Sequence, residues 1–107
     1  MAVSNDLYAQ NFGTAQTVQQ PLPATIASTT TIAPTTFLTF ISGTTNIATI
    51  TPPVGGSVML AFVWTTTSPG SFTTAGNISV GSTTMIQNRL VLMVYDPSTV
   101  KWYMQVP

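Results

Sequence analysis

Very few side chains in this sequence carry groups that could catalyse a reaction or bind a metal ion. The charged residues are Asp6, Arg89, Asp96 and Lys101, and histidine, cysteine and glutamate are absent. Acid–base catalysis needs two titratable groups held close together, but Asp6 lies in an N-terminal segment and Asp96 in a predicted turn. Zinc and calcium sites need thiolates, imidazoles or several carboxylates. The sequence therefore predicts no enzyme, no catalytic residue, no metal site and no cofactor.

The low content of charged residues is the strongest signal in the composition. Charged residues make up 4% of the chain and the formal net charge is zero, whereas an ordinary globular domain is about 25% charged. Like-charge repulsion therefore does little to keep two copies apart. We expect much of the surface to be covered by further copies of the chain or by a larger partner.

Composition also argues against two classes of partner. Two cations that do not cluster make no basic surface for a nucleic acid, and no apolar run reaches the roughly 18 residues of a membrane-spanning helix. The first residues, MAVSNDLYAQNFG, lack the charged and apolar regions of a secretory signal. We expect neither a nucleic-acid nor a membrane partner, and the absence of cysteine agrees with folding in a reducing cytoplasm.

Two apolar runs predict the central strands. Val58–Trp64 reads VMLAFVW and Leu90–Tyr95 reads LVLMVY. A strand with one wet face alternates polar and apolar residues, whereas a strand covered on both faces need not. Two strands covered on both faces need more packing partners than one small sheet in a chain of 107 residues provides. We therefore predict that a strand is shared between the core of the domain and a subunit interface.

The remaining pattern predicts an all-β domain preceded by an arm. Residues 1–24 show no sustained period and close on Pro21 and Pro23, which is typical of an extended arm or of a disordered tail. Residues 25–107 contain about seven short segments rich in β-branched residues, separated by Gly, Pro and Asn turns. We predict a small β-sandwich or jelly-roll-like domain.

Two hairpins are expected within this domain. Residues 36–51 are predicted to form one hairpin, around Gly43. The second joins the run that ends at Tyr95 to residues 100–106 through a turn that begins Asp96-Pro97. Arg89 is expected to pair with Asp96.

The aromatic residues allow more than one interpretation. Phe62, Trp64, Tyr95 and Trp102 are predicted to lie in the core or at a subunit interface, with Trp64 at the seam between subunits. Trp102 and Tyr103 point to opposite faces of a strand, so at most one of them contributes to a flat platform for a sugar ring. In the arm, Leu7, Tyr8 and Phe12 are the predicted contacts with a neighbouring subunit of an assembly.

A resemblance to a known group of proteins rests on four short elements. These are NIATITPP, which contains Ile47–Pro53, then TTAGNI at Thr73–Ile78, Tyr95-Asp96 at the end of an apolar strand, and the KWY strand at Lys101–Tyr103. In this order they resemble a short β-domain that recurs in virion proteins of tailed bacteriophages. The similarity covers about residues 36–104. One departure is the turn before Lys101, where a glycine is expected.

The resemblance implies a trimeric, β-rich virion module with no catalytic residues. The function it implies is that of a capsid decoration (cement) or head-fibre protein, made in the host cytoplasm and located on the capsid surface. Its partners would then be two further copies of the chain and the major capsid protein, and the arm, through Leu7, Tyr8 and Phe12, would contact the capsid protein or a neighbouring decoration subunit. The alternative function is a receptor- or carbohydrate-binding module of a phage tail fibre or spike.

Overall fold

The computed structural model of the chain describes residues 22–79 and 84–105. The predicted arm contacts Leu7, Tyr8 and Phe12 lie outside the described residues. Within these residues the chain forms seven strands and no helix. The strands are β1 (Ala24–Ala27), β2 (Thr31–Ile32), β3 (Leu38–Ser42), β4 (Thr49–Ile50), β5 (Val58–Trp64), β6 (Leu90–Asp96) and β7 (Lys101–Met104). The predicted all-β fold is confirmed.

The strands form one large and one small sheet. The large sheet has the order β1-β3-β5-β6-β7, and the small sheet pairs β2 with β4. Strands β1, β3 and β5 run parallel, as do β2 and β4, whereas β6 and β7 add to the large sheet antiparallel to their neighbours. From β1 to β5 the chain therefore alternates between the two sheets, adding one strand to each in turn.

The predicted hairpin at residues 36–51 is wrong. After β3 the chain turns at Gly43, whose φ is +93°, and crosses to the small sheet instead of folding back. The Thr45 amide donates to Ser28 Oγ at 3.0 Å, and the Ala48 and Thr49 amides both donate to the Thr30 carbonyl. These bonds hold the segment after β3 beside the segment that leads from β1 to β2, and β4 therefore pairs with β2. The second predicted hairpin, β6 with β7, is confirmed.

The core lies between the two sheets. Alternate residues of β5, namely Leu60, Phe62 and Trp64, are at most 3% exposed and share one apolar cluster with Ile32 and Ile50 of the small sheet. Phe72 fills the space beside them, with its ring centroid 5.9 Å from that of Phe62 and 5.7 Å from that of Trp64. Offset aromatic contacts at these distances add to the stabilisation from buried area.

Asn77 and Trp102 connect the small sheet to the edge of the large one. Asn77 Oδ1 accepts from the Ile50 amide at 2.9 Å, and its Nδ2 donates to the Ile50 carbonyl at 2.8 Å. The same carbonyl accepts from Trp102 Nε1 at 2.8 Å. The Trp102 amide in turn donates to the Asn77 carbonyl. The Asn77 side chain thus replaces a third strand beside β4.

We expect Asn77→Ala to lower the free energy of unfolding by about 2–3 kcal/mol, because the Ile50 amide then loses its acceptor in a partly buried site. Asn46→Ala is the matched control, since Asn46 Oδ1 accepts a single exposed bond from the Ser71 amide. We expect that control to cost about 1 kcal/mol or less. Urea unfolding of both variants measures the difference, and equal losses would contradict the role assigned to Asn77.

The turn between β6 and β7, where the resemblance predicts a glycine, contains a valine with positive φ. The Val100 amide donates to the Asp96 carbonyl at 2.9 Å, and this closure places Val100 at φ 57°. Left-handed backbone is unfavourable for a β-branched residue and free of steric cost for glycine. The resemblance predicts a glycine within this turn without giving its position, and the structure shows that Val100 is the residue of the turn that has positive φ and is strained.

We expect Val100→Gly to raise the free energy of unfolding by about 1 kcal/mol, since relief of the strain exceeds the added entropy of the unfolded chain. The Val100 side chain is 57% exposed, so little buried area is lost. Val100→Ala is the control, because it keeps Cβ and hence most of the strain. The urea midpoint should rise for glycine and change little for alanine, and a fall with glycine would disprove the strain.

Candidate interaction surface

The large sheet has a second apolar face, directed away from the core. Side chains alternate between the two faces of a strand, so Met59, Ala61 and Val63 of β5 lie opposite its core residues. The strand register places apolar residues beside each of them in three rows. The rows are Met59–Val94–Tyr103, Leu38–Ala61–Leu92 and Phe40–Val63–Leu90. We call these nine residues the outer face.

Much of the outer face is exposed. Leu90 is 61% exposed, Met59 49%, Val94 44% and Tyr103 42%, while Ala61 is buried. The register places the nearest charged side chains of the sheet, Asp96 and Lys101, in the next row beyond Tyr103. A contiguous apolar area of this kind on a domain surface indicates an interaction site.

The four aromatic residues predicted at a subunit interface belong instead to the core of one chain. Phe62, Trp64 and Trp102 are 0% exposed and Tyr95 is 7% exposed. Tyr95 packs on Trp102 with 5.1 Å between ring centroids. These side chains therefore leave almost no area for a second copy or for a sugar ring, and an interface would have to use the other face of the same strands.

The two buried tryptophans differ in the hydrogen bonding of their indole N–H groups. Trp64 Nε1 is buried without a hydrogen-bond partner in the described part of the chain, whereas Trp102 Nε1 is satisfied by Ile50. A buried N–H without an acceptor lowers the free energy of unfolding, and nothing in the structure explains why Trp64 has one.

The expected ion pair between Arg89 and Asp96 is not formed. The two residues lie at opposite ends of β6, about 20 Å apart for a strand of this length. The Asp96 carboxylate accepts bonds from the Ser98 hydroxyl at 2.8 Å and the Ser98 amide at 3.0 Å, and from the Thr99 hydroxyl at 3.1 Å. These bonds, chiefly that of the Ser98 hydroxyl, hold the pKa of Asp96 below its ordinary value of 3.8.

Asp96 is therefore expected to make stability depend on acid pH. Because its pKa is lower in the folded than in the unfolded chain, its contribution is fully present above pH 3.8. The contribution is lost as the pH falls through the folded pKa. We expect Asp96→Asn to reduce the dependence of stability on pH in this range, and urea midpoints measured from about pH 6 to about pH 2 test it. Identical slopes for both proteins would contradict the assignment.

No group of three or more histidine, cysteine, aspartate or glutamate side chains among residues 22–79 and 84–105 is placed to hold a metal ion. The same part of the chain contains no helix long and apolar enough to cross a membrane. No protein-family model, curated protein or solved structure matches the chain. The outer face is consequently the feature from which a function can be argued.

Proposed function

We propose that the chain is a structural virion protein, a capsid decoration protein that associates through its outer face and stabilises the shell as an oligomer, a trimer by the resemblance described above. The observation that carries the proposal is the outer face itself, which is apolar in all three rows and partly open to solvent. The capsid surface is the proposed location, and further copies and the major capsid protein are the proposed partners.

The chemistry of the outer face suits permanent burial. Removing a half-exposed large apolar side chain from water contributes roughly 1 kcal/mol, and four such side chains lie on this face. Burying it desolvates no charged group, a cost that opposes association at charged surfaces. Separation of the subunits would expose the same area again, which is how a decoration protein resists opening of a shell.

The alternative function, a carbohydrate-binding module, is less well supported. Trp102, one of the two residues considered for a sugar platform, is fully buried and donates to the Ile50 carbonyl. Tyr103 is the exposed member of the pair, but it stands in a row with Met59 and Val94. A sugar site ordinarily combines an aromatic ring with convergent polar groups, whereas Met59 and Val94 are apolar and the Tyr103 hydroxyl is already hydrogen-bonded to Thr99 Oγ1 at 3.0 Å.

The self-association part of the proposal is tested by Val94→Lys. Val94 lies between Met59 and Tyr103 in its row, so a lysine there must be desolvated when the face is covered. We expect at least about tenfold weaker association by sedimentation equilibrium, with an unchanged circular dichroism spectrum. Thr74→Lys, which adds the same charge to an exposed turn, is the control. A monomeric wild-type protein, or a variant that associates equally well, would contradict the role of this face.

The virion part is tested by the number of copies per particle. We expect quantitative mass spectrometry of purified particles to find hundreds of copies, because a protein that covers a shell repeats with its lattice. A handful of copies would instead place the protein in the tail and favour a fibre or spike.

A further inference from the structure

The outer face contains one methionine, Met59, and its side chain is 49% exposed. Strand β3 begins at Leu38, which pairs with Ala61. At Met59, two residues earlier in β5, the register therefore provides a strand partner on one side only, where Val94 of β6 lies. Because no strand of the described residues pairs with its other side, the Met59 side chain remains half open to solvent, whereas Ala61 on the same face is buried.

The other methionines of residues 22–79 and 84–105 are less accessible. Met93 and Met104 are 0% and 8% exposed and belong to the apolar core cluster, and Met85 packs against that cluster. Peroxides oxidise methionine sulfur, and in a folded protein the rate depends on access of the oxidant to the sulfur. Of the methionines in this part of the chain, Met59 is therefore the one that a peroxide reaches most easily.

Oxidation at Met59 would change the chemistry of the outer face. The Met59 sulfur attacks a peroxide oxygen, so that an S–O bond forms and the O–O bond breaks. The sulfur loses two electrons, the peroxide accepts them, and its second oxygen leaves as water. The resulting sulfoxide is a polar group in place of an apolar one.

The row that contains Met59 offers the sulfoxide no free hydrogen-bond donor. Val94 is apolar, and the Tyr103 hydroxyl is bonded to Thr99 Oγ1 at 3.0 Å. A polar group that is buried without a hydrogen bond opposes the association that buries it. The sulfoxide therefore disfavours contact between the outer face and an apolar surface of a second copy.

We propose that Met59 is an oxidation site through which a peroxide controls association at the outer face: the thioether form associates, and the sulfoxide form associates weakly. The inference rests on the proposed function, because it requires that copies of the chain meet through this face. The modification is reversible, since methionine sulfoxide reductases return the sulfoxide to the thioether. Contact with a second copy protects Met59 from the oxidant, so the modification acts on free subunits.

Selective oxidation is measured with hydrogen peroxide as the oxidant. Wild-type protein is treated at a concentration below the range in which it associates, and peptide mapping by mass spectrometry follows each methionine. We expect Met59 to be oxidised at least about tenfold faster than Met93, because only Met59 is exposed. At a concentration at which the chain associates, the rate for Met59 should fall. Equal rates for Met59 and Met93 in the folded protein would overturn the proposal.

The effect on association is measured by sedimentation equilibrium before and after oxidation. We expect the sulfoxide to weaken association at least about tenfold, and treatment with methionine sulfoxide reductases to restore it. Met59→Leu is the matched variant, because leucine keeps an apolar side chain of similar size and has no sulfur. It should associate like the wild type and be unaffected by peroxide, whereas Met85→Leu should respond to peroxide as the wild type does.

These measurements separate failure of the inference from failure of the proposed function. An untreated wild-type protein that is monomeric would contradict both. An oxidised protein that associates as tightly as the untreated one would overturn the inference alone and leave the outer face as an interface. A Met59→Leu variant that also loses association on oxidation would assign the effect to another methionine and overturn the role of Met59.

Discussion

The attachment of the small sheet to the large one depends on the backbone of Ile50. A two-stranded sheet of short strands is marginal by itself, and β4 has β2 on one side only. Asn77 supplies both an acceptor and a donor on the open side, and Trp102 adds a second donor to the same carbonyl. Because Trp102 belongs to the edge strand β7, one residue of the small sheet is bonded to the far edge of the large one, and the core is closed between them.

Packing of one face of the large sheet in the core leaves an apolar face on its other side. Once the even-numbered residues of β5 face the small sheet, its odd-numbered residues must face outward, and the sheet carries apolar side chains on both sides. A domain with 4% charged residues has few groups with which to keep such a face in solvent. In the proposed role in a shell, other molecules cover this surface.

The charged residues mark the two ends of β6. Asp96 is used locally, where it holds the turn that forces Val100 into left-handed backbone. Arg89, at the other end, lines a groove with Leu90 and Val91. Among the described residues, the charged side chains Arg89, Asp96 and Lys101 all lie where a strand begins or ends, and the middle of the outer face contains no charge that would have to be desolvated.

By itself the sequence determined the all-β class, the two long central strands and the hairpin between β6 and β7. These are local properties of β-branched runs and turn residues. Tertiary structure decided that β3 pairs with β1 and β5 and that β4 pairs with β2, because parallel strands join segments distant in the chain and leave no local signal. It also decided which face of Val58–Trp64 is the core. Apolar residues occupy both faces of that strand, so the alternation cannot distinguish them, and the small sheet selects the side that bears Phe62 and Trp64.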